Sequence, residues 1–309
     1  MNKIFIDLIK EICKELQINY KIFSKGWAIM LENEGKTKFI SGFKFDLNGH
    51  ALGDILDDKF ATYDLLKSCE IPTIEHSIVY GNDNENEYAK DCKGANYIKK
   101  VFHKYEKNVV LKTNEGACGT NIIHIKDENE LVSEVNRLTK SHTSLSICPY
   151  YDIENEYRAI VLNNNVELLY KKIKPVVVGD SRKTIKELLD EFNYAYFKNI
   201  NKEEFNKVLN SGEIYEYDWK FNLSRGAKLS FDILETDKKS IQGIAEKISS
   251  KIGINFGSID IVKTIDNRYY IMEINSGVMT NNFIKQIDNG YEIAKSIYTK
   301  AIKCLMQEY

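Results

Sequence analysis

Glu273 and Asn275 stand two residues apart in YYIMEINSGVMTNN (269–282), a run apolar enough to read as a buried strand. A carboxylate in such a strand is expensive unless something pairs with it. Side chains alternate faces along a strand, so Glu273 and Asn275 point the same way, about 7 Å apart at roughly 3.3 Å per residue. By the same alternation Met272 and Ile274 point to the other face, into the core. Upstream, Asp260 lies between Ile259 and Ile261 in FGSIDIVK. The short turn TIDN lets the two runs pair antiparallel and brings Asp260 beside Glu273. Two carboxylates and an amide oxygen are hard donors suited to Mg²⁺, which binds through one or two carboxylates plus substrate phosphates. The competing reading is a half-exposed sheet with both acids in water, although Glu and Asn disfavour strands.

A second constellation is VVLKTNEGACGTNI, where an apolar strand delivers Lys112 to a loop containing Gly116, Gly119 and the small residues Ala117, Cys118 and Thr120. Glycines let backbone N–H groups approach a phosphate closely, and Lys112 adds a point charge. No GK[ST] closes the loop and no GxGxxG is present, so a plain hairpin loop competes with a nucleotide cradle. Cys118 has no histidine with an orienting partner nearby in sequence, and small side chains are what such a loop requires.

These residues need elements to carry them. An amphipathic helix over 1–16, which carries acids and does not read as a signal peptide, precedes short strands at YKIFS, WAIMLEN and KTKFISGF, with turns at Lys25-Gly26 and Glu34-Gly35. DDKFATYDLLKSCEI reads as a helix capped by Asp57 or Asp58 and stopped before Pro72. A polar stretch, NDNENEYAKDCKG, leads into a short helix. Further helices are expected at 127–140, 181–199, 201–212, 237–253 and 290–307, and a hairpin around Asn163–Asn165. The five histidines show no ligand spacing, and Trp27 and Trp219 read as packing residues. Lys171, Lys172 and Lys174 cluster at the end of a strand and fit a solvated face.

The 309 residues imply more than one lobe, and the formal net charge of −2 offers no basic surface for nucleic acid or membrane. No run approaches the roughly 20 apolar residues of a membrane span. Six cysteines without a CxxC pair point to reduced thiols and a cytoplasmic protein.

Lys59 in DDKFATYDLLKSCEIPT, Lys112 with its loop, ENEYRAIVL, and SIDIV…YYIMEINSG follow one another in the order and approximate spacing of the ATP-grasp superfamily. The chain resembles its carboxylate–amine ligase branch, which includes glutathione synthetase, the RimK-type ligases and cyanophycin synthetase. KKIKPVVVGDSRKTIKELL is similar to the cyanophycin-synthetase pattern P-x-V-x-G-D-G-x-x-T-I-x-E-L, and FNLSRGAK to the RimK segment NLHRGG. The resemblance covers about residues 57–285. It implies an α/β (α+β) ATP-grasp fold, two α+β lobes clamping ATP, with a shortened N-terminal domain. Residues 1–56 would form that small domain and 57–309 the ATP-grasp domain, with a lid subdomain at about 106–149.

The resemblance also implies roles. Lys59 and Lys112 would contact nucleotide phosphates, with Lys172 nearby. Glu115, Gly116, Ala117, Gly119 and Thr120 would fold over them as a lid. Adenine would lie against the hinge at 147–151, touching Cys148, Tyr150 and Tyr151, and Glu156 would accept from the ribose hydroxyls. Arg158 would point toward the acyl phosphate, and Asn222 and Arg225 would reach the γ-phosphate or the bound carboxylate. Asp260, Glu273 and Asn275 would hold one or two Mg²⁺ ions, with Mn²⁺ as a substitute. Gly277 would let the acceptor pass close to the backbone. The implied reaction joins a carboxylate to an amine through an acylphosphate, releasing ADP and phosphate. Its substrate would be a small molecule or peptide, an amino acid or peptide first among them, in a monomer or homo-oligomer. A small-molecule kinase and a catalytically silent nucleotide-binding protein are the alternatives. The chain departs from the family at Thr113, where proline is common, at Ser181 and Ala227, where glycine is common, and in the EINSGVMTNN tail. Residues 181–221 are expected to shape the acceptor pocket.

Overall fold

The structure, a computed structural model, describes residues 3–116, 121–190 and 203–307. Phe5, Leu8, Ile9 and Ile12 recur at helical spacing and bury one face of α1 (Lys3–Glu15). A meander follows, β1 (Asn19–Phe23), β2 (Ala28–Asn33), β3 (Lys36–Ser41) and β4 (Lys44–Phe45), paired in that order. Its inner residues Ile29, Leu31, Ile40 and Phe45 share a core with α1 and with α9 (Gly290–Gln307). α2 (His50–Asp57) and α3 (Lys59–Ser68) meet at Asp58, whose carboxylate accepts from Ala61 N and caps α3.

The next unit contains β5 (Ser77–Tyr80), α4 (Ala95–Lys104), β6 (Val109–Thr113), β7 (Ile123–Ile125), α5 (Glu128–Leu138) and β8 (Ser144–Pro149). Its antiparallel sheet runs β5-β8-β6-β7. Val79, Leu111, Leu145 and Ile147 pack against α4 and α5, which leaves Val110, Lys112, Ser146 and Cys148 on the opposite face.

β9 (Ile153–Leu162) and β10 (Asn165–Ile173) form the expected hairpin. Asn163 and Asn164 take positive φ (46° and 65°), which asparagine tolerates. β11 (Val176–Val178), α6 (Ile185–Asp190) and β12 (Ile214–Glu216) build a small excursion with its own core of Val177, Ile185, Leu188, Leu189 and Leu209. The second helix expected there is absent from the described part of 201–212. Residues 203–206 form turns, and Val208 bridges to Thr184. The C-terminal part of the helix expected at 181–199 lies outside the described residues.

β13 (Lys228–Ser230), α7 (Glu235–Ile252), β14 (Phe256–Thr264), β15 (Tyr269–Asn275), α8 (Asn281–Gln286) and α9 complete the chain. Gly253 (φ 77°) ends α7 in the left-handed conformation, as its position predicts. The central sheet runs β13-β10-β9-β14-β15, antiparallel throughout. Tyr157, Ala159, Val161, Ile259 and Ile261 pack on α7 through Ile241, Ala245 and Ile248. The alternate residues of the same strands therefore face the other way, toward the N-terminal sheet and the β5–β8 sheet. Among the described residues no helix is long and apolar enough to cross a membrane.

Candidate functional site

A cavity of about 740 Å³ opens where these three sheets converge. Strand register decides what lies on its floor. Asp260 is opposite Arg158, and Glu156 is opposite Lys172. All four side chains lie on the face away from α7 and line the cavity. Arg158 Nε and Nη2 donate to the two carboxylate oxygens of Asp260 at 2.7 and 2.6 Å. Lys172 Nζ donates to Asp260 Oδ2 at 3.0 Å and to Glu156. Burial opposes charge on Asp260, but Arg158 and Lys172 outweigh it and hold the carboxyl well below the usual range. Burial likewise opposes the Lys172 cation, as does Arg158, yet Asp260 and Glu156 raise its pKa. Burial pushes the Glu156 carboxyl up, with Lys172 opposing.

β14 and β15 pair with Asp260 opposite Glu273, as the hairpin predicts. The two acids nevertheless have different surroundings. Glu273 and Asn275 line the cavity half-buried, and neither side chain makes a hydrogen bond or ion pair among the described residues. Among the described residues no group of three or more His, Cys, Asp and Glu side chains is placed to hold a metal ion; Glu273 and Asn275 offer one carboxylate and one amide oxygen, and the oxygens of Asp260 are engaged by Arg158 and Lys172. The expectation that Met272 points into the core is corrected. The ladder steps from Asp260–Glu273 to Ile261–Ile271, a bulge that turns Met272 into the cavity wall while Ile271 and Ile274 stay buried.

Lys112 projects from β6 into the cavity, 8 % exposed, and forms no ion pair among the described residues. Lys59, the first residue of α3, is aimed elsewhere. Its Nζ donates to the carbonyls of Asn114 (3.3 Å) and Gly116 (3.1 Å), and it is not part of the cavity lining. Burial lowers its pKa, with Glu273 opposing. Asn114 fastens the start of the glycine loop. It is fully buried, donates through Nδ2 to Asp58 Oδ2 at 2.5 Å and accepts from Phe60 N at 3.0 Å. Glu115 and Gly116 line the cavity; Ala117, Cys118, Gly119 and Thr120 lie outside the described residues.

At the hinge, Cys148, Tyr150 and Tyr151 line the cavity beside Ile74, Val110, Ile153 and Met272, an apolar slot suited to a flat base. Tyr150 stacks on His124 (3.9 Å, 10°) and meets the edge of Trp219 at 5.7 Å. Trp219 and Lys220 also line the cavity. Lys220 is 8 % exposed, has no ion pair among the described residues, and has its pKa lowered by burial. Asn222 lines the cavity but turns its Oδ1 to Ser224 N at 2.9 Å, capping the following turn. Arg225 is not in the lining; its guanidinium pairs with Asp218 at 3.0 Å. Gly277 lines the cavity. A Cβ there would lie 3.3 Å from Lys44 Cγ and 3.4 Å from Phe43 C, so the glycine seats the N-terminal sheet against β15.

No family model matches the chain. Over 156 residues, half of its length, it is 26 % identical to the glutathione biosynthesis bifunctional protein of Lactiplantibacillus plantarum, and it spans about a fifth (19 %) of that curated relative. A bifunctional glutathione synthetase from Pasteurella multocida superposes with a TM-score of 0.54 at 14 % identity, over 95 % of this chain and 44 % of that one. A D-alanine–D-alanine ligase from Bacillus anthracis gives 0.53 at 13 %, over 82 % and 67 %. The chain has the ATP-grasp fold.

In this ATP-grasp fold the pairing of β14 with β15 agrees with the sequence reading, and Lys112, Cys148, Tyr150 and Tyr151 line one cavity. Trp219, Lys220, Met272 and Asn114 were not legible from sequence. WK before FNLSRGAK carried a weak signal, a lysine between two aromatics. Met272 carried none, because a bulge leaves no mark in an apolar strand.

Proposed function

We propose that the chain is an ATP-dependent ligase that joins a carboxylate to an amine through an acylphosphate. One observation carries the reading: Lys112 and Lys220, which form no ion pair among the described residues, line one cavity with Glu273 and Asn275, whose side chains make no hydrogen bond or ion pair among the described residues. Buried charges persist only when something compensates them, and a metal–triphosphate complex compensates both sets at once.

Adenine would occupy the slot at Cys148–Tyr151 and Met272, with the phosphates running toward Lys112 and Lys220. Glu273 and Asn275 would hold Mg²⁺, which when bound supplies charge neutralisation at the triphosphate. Arg158 and Lys172 fix Asp260 on the floor, and Lys172 holds Glu156 as well. A substrate carboxylate oxygen attacks the γ-phosphorus and ADP leaves. The amine then attacks the acyl carbon, phosphate departs, and the amine proton passes to solvent or phosphate. The glycine loop would exclude water from the acylphosphate, with Asn114 and Lys59 anchoring its base.

ADP release is the test, scanned over amino acids and short peptides in pairs with Mg²⁺. Release should require a carboxylate and rise when an amine is added. Glu273→Ala and Lys112→Ala should abolish it in folded protein. ADP formation that needs a hydroxyl acceptor and ignores amines would make the chain a kinase.

A further inference from the structure

The N-terminal sheet lends residues to the cavity that phosphate chemistry does not use. Trp27, Phe43 and Lys44 come from the β1–β4 meander, and Asp57 from the end of α2. Trp27 lines the cavity while 58 % exposed, an indole left bare at its mouth. Lys44 and Asp57 form an ion pair on the cavity wall, with side chains 43 % and 44 % exposed. Asp57 Oδ1 also accepts from Ser276 Oγ at 3.2 Å, which ties the pair to the residue following Asn275.

We propose that Lys44 and Asp57, backed by Trp27, Phe43 and Met279, bind the zwitterionic head of an α-amino acid bearing an apolar or aromatic side chain. The inference rests on the ligase reading above and names one of its two substrates. An exposed ion pair is worth at most about 1 kcal/mol, so a ligand can part it at little cost. A zwitterion gives each member a new opposite charge, its carboxylate to Lys44 and its ammonium to Asp57. A ligand of one sign satisfies one member and strands the other. The wall therefore discriminates for dipolar, net-neutral heads. Trp27, Phe43 and Met279 line the same cavity as the pair, and such apolar groups favour an apolar or aromatic side chain over an acidic one.

Trp27 and Trp219 are the chain's two tryptophans. A Trp219→Phe protein thus reports on Trp27 alone. Its emission is titrated with phenylalanine, leucine, glutamate, phenethylamine and phenylpropionate, with and without Mg²⁺ and a non-hydrolysable ATP analogue. Phenylalanine and leucine should bind saturably, and the analogues lacking one charge at least about tenfold more weakly, since a charged hydrogen bond contributes enough for that factor. Asp57→Asn should erase the preference over phenylpropionate, and Lys44→Gln the preference over phenethylamine. This crossed pattern is one that a merely destabilised sheet does not produce. Equal binding of the truncated analogues, or a preference untouched by either substitution, overturns the proposal. Nucleotide binding is followed separately with a fluorescent ATP analogue. Its absence sinks the ligase reading, whereas its presence without zwitterion selection sinks only the substrate site.

Discussion

Asp260 and Glu273 stand opposite each other in one hairpin, yet removing them should do different things. Asp260→Ala strands the half-buried Arg158 cation and leaves the buried Lys172 with Glu156 alone. Loss of one partner from a buried charge cluster costs about 3–5 kcal/mol, so the denaturant midpoint should fall sharply. Glu273→Gln removes a carboxylate that nothing in the described chain holds. It should cost under about 1 kcal/mol in stability while lowering Mg²⁺-dependent ADP release at least about a hundredfold, several kcal/mol of charge stabilisation being at stake. Urea titration and an ADP assay on both variants read this out. A stable Asp260→Ala protein would show that the cluster contributes nothing to folding.

Between elements, the break at Asp57-Asp58 ties the start of α3 to residues 114–116. Asp58 caps α3 through Ala61 N and accepts from Asn114 Nδ2, while Lys59 holds the loop carbonyls. Asn114→Asp sets two carboxylates against each other. It should loosen the loop, raise KM for ATP about tenfold or more, and increase ADP release uncoupled from product, because a loop that no longer seats admits water. Adding Asp58→Asn exchanges donor for acceptor: the capping oxygen and the acceptor for Phe60 N both survive. The double variant should recover coupling. Recovery of stability without recovery of the ADP-to-product ratio would confine Asn114 to folding.

At the scale of the whole molecule, acid should weaken the fold through His76. It is 4 % exposed with Nδ1 at 2.5 Å from Ser146 Oγ. Burial first, then Lys112 and Lys59, holds its pKa well below the ordinary 6.5. Below about pH 6.5 the unfolded chain takes up a proton that the folded protein refuses. Stability is therefore lost as pH falls, by up to about 1.4 kcal/mol per pH unit from this group. His76→Gln should flatten the slope of urea midpoints between pH 6.5 and 5, and identical slopes would remove His76 from the account. The sequence determined the elements on its own wherever a local rule sufficed. The Asn163-Asn164 turn, a cap at one of Asp57 and Asp58, and the Gly253 stop follow from backbone sterics, which a short window contains. Only the tertiary structure decided which charges meet. Arg158 and Asp260 are 102 residues apart, and Lys44 reaches Asp57 because Gly277 lets β4 lie against the end of β15. An ion pair depends on distance in space, and pairing of distant strands, together with a one-residue bulge at Met272, sets that distance without leaving a periodic trace in the chain.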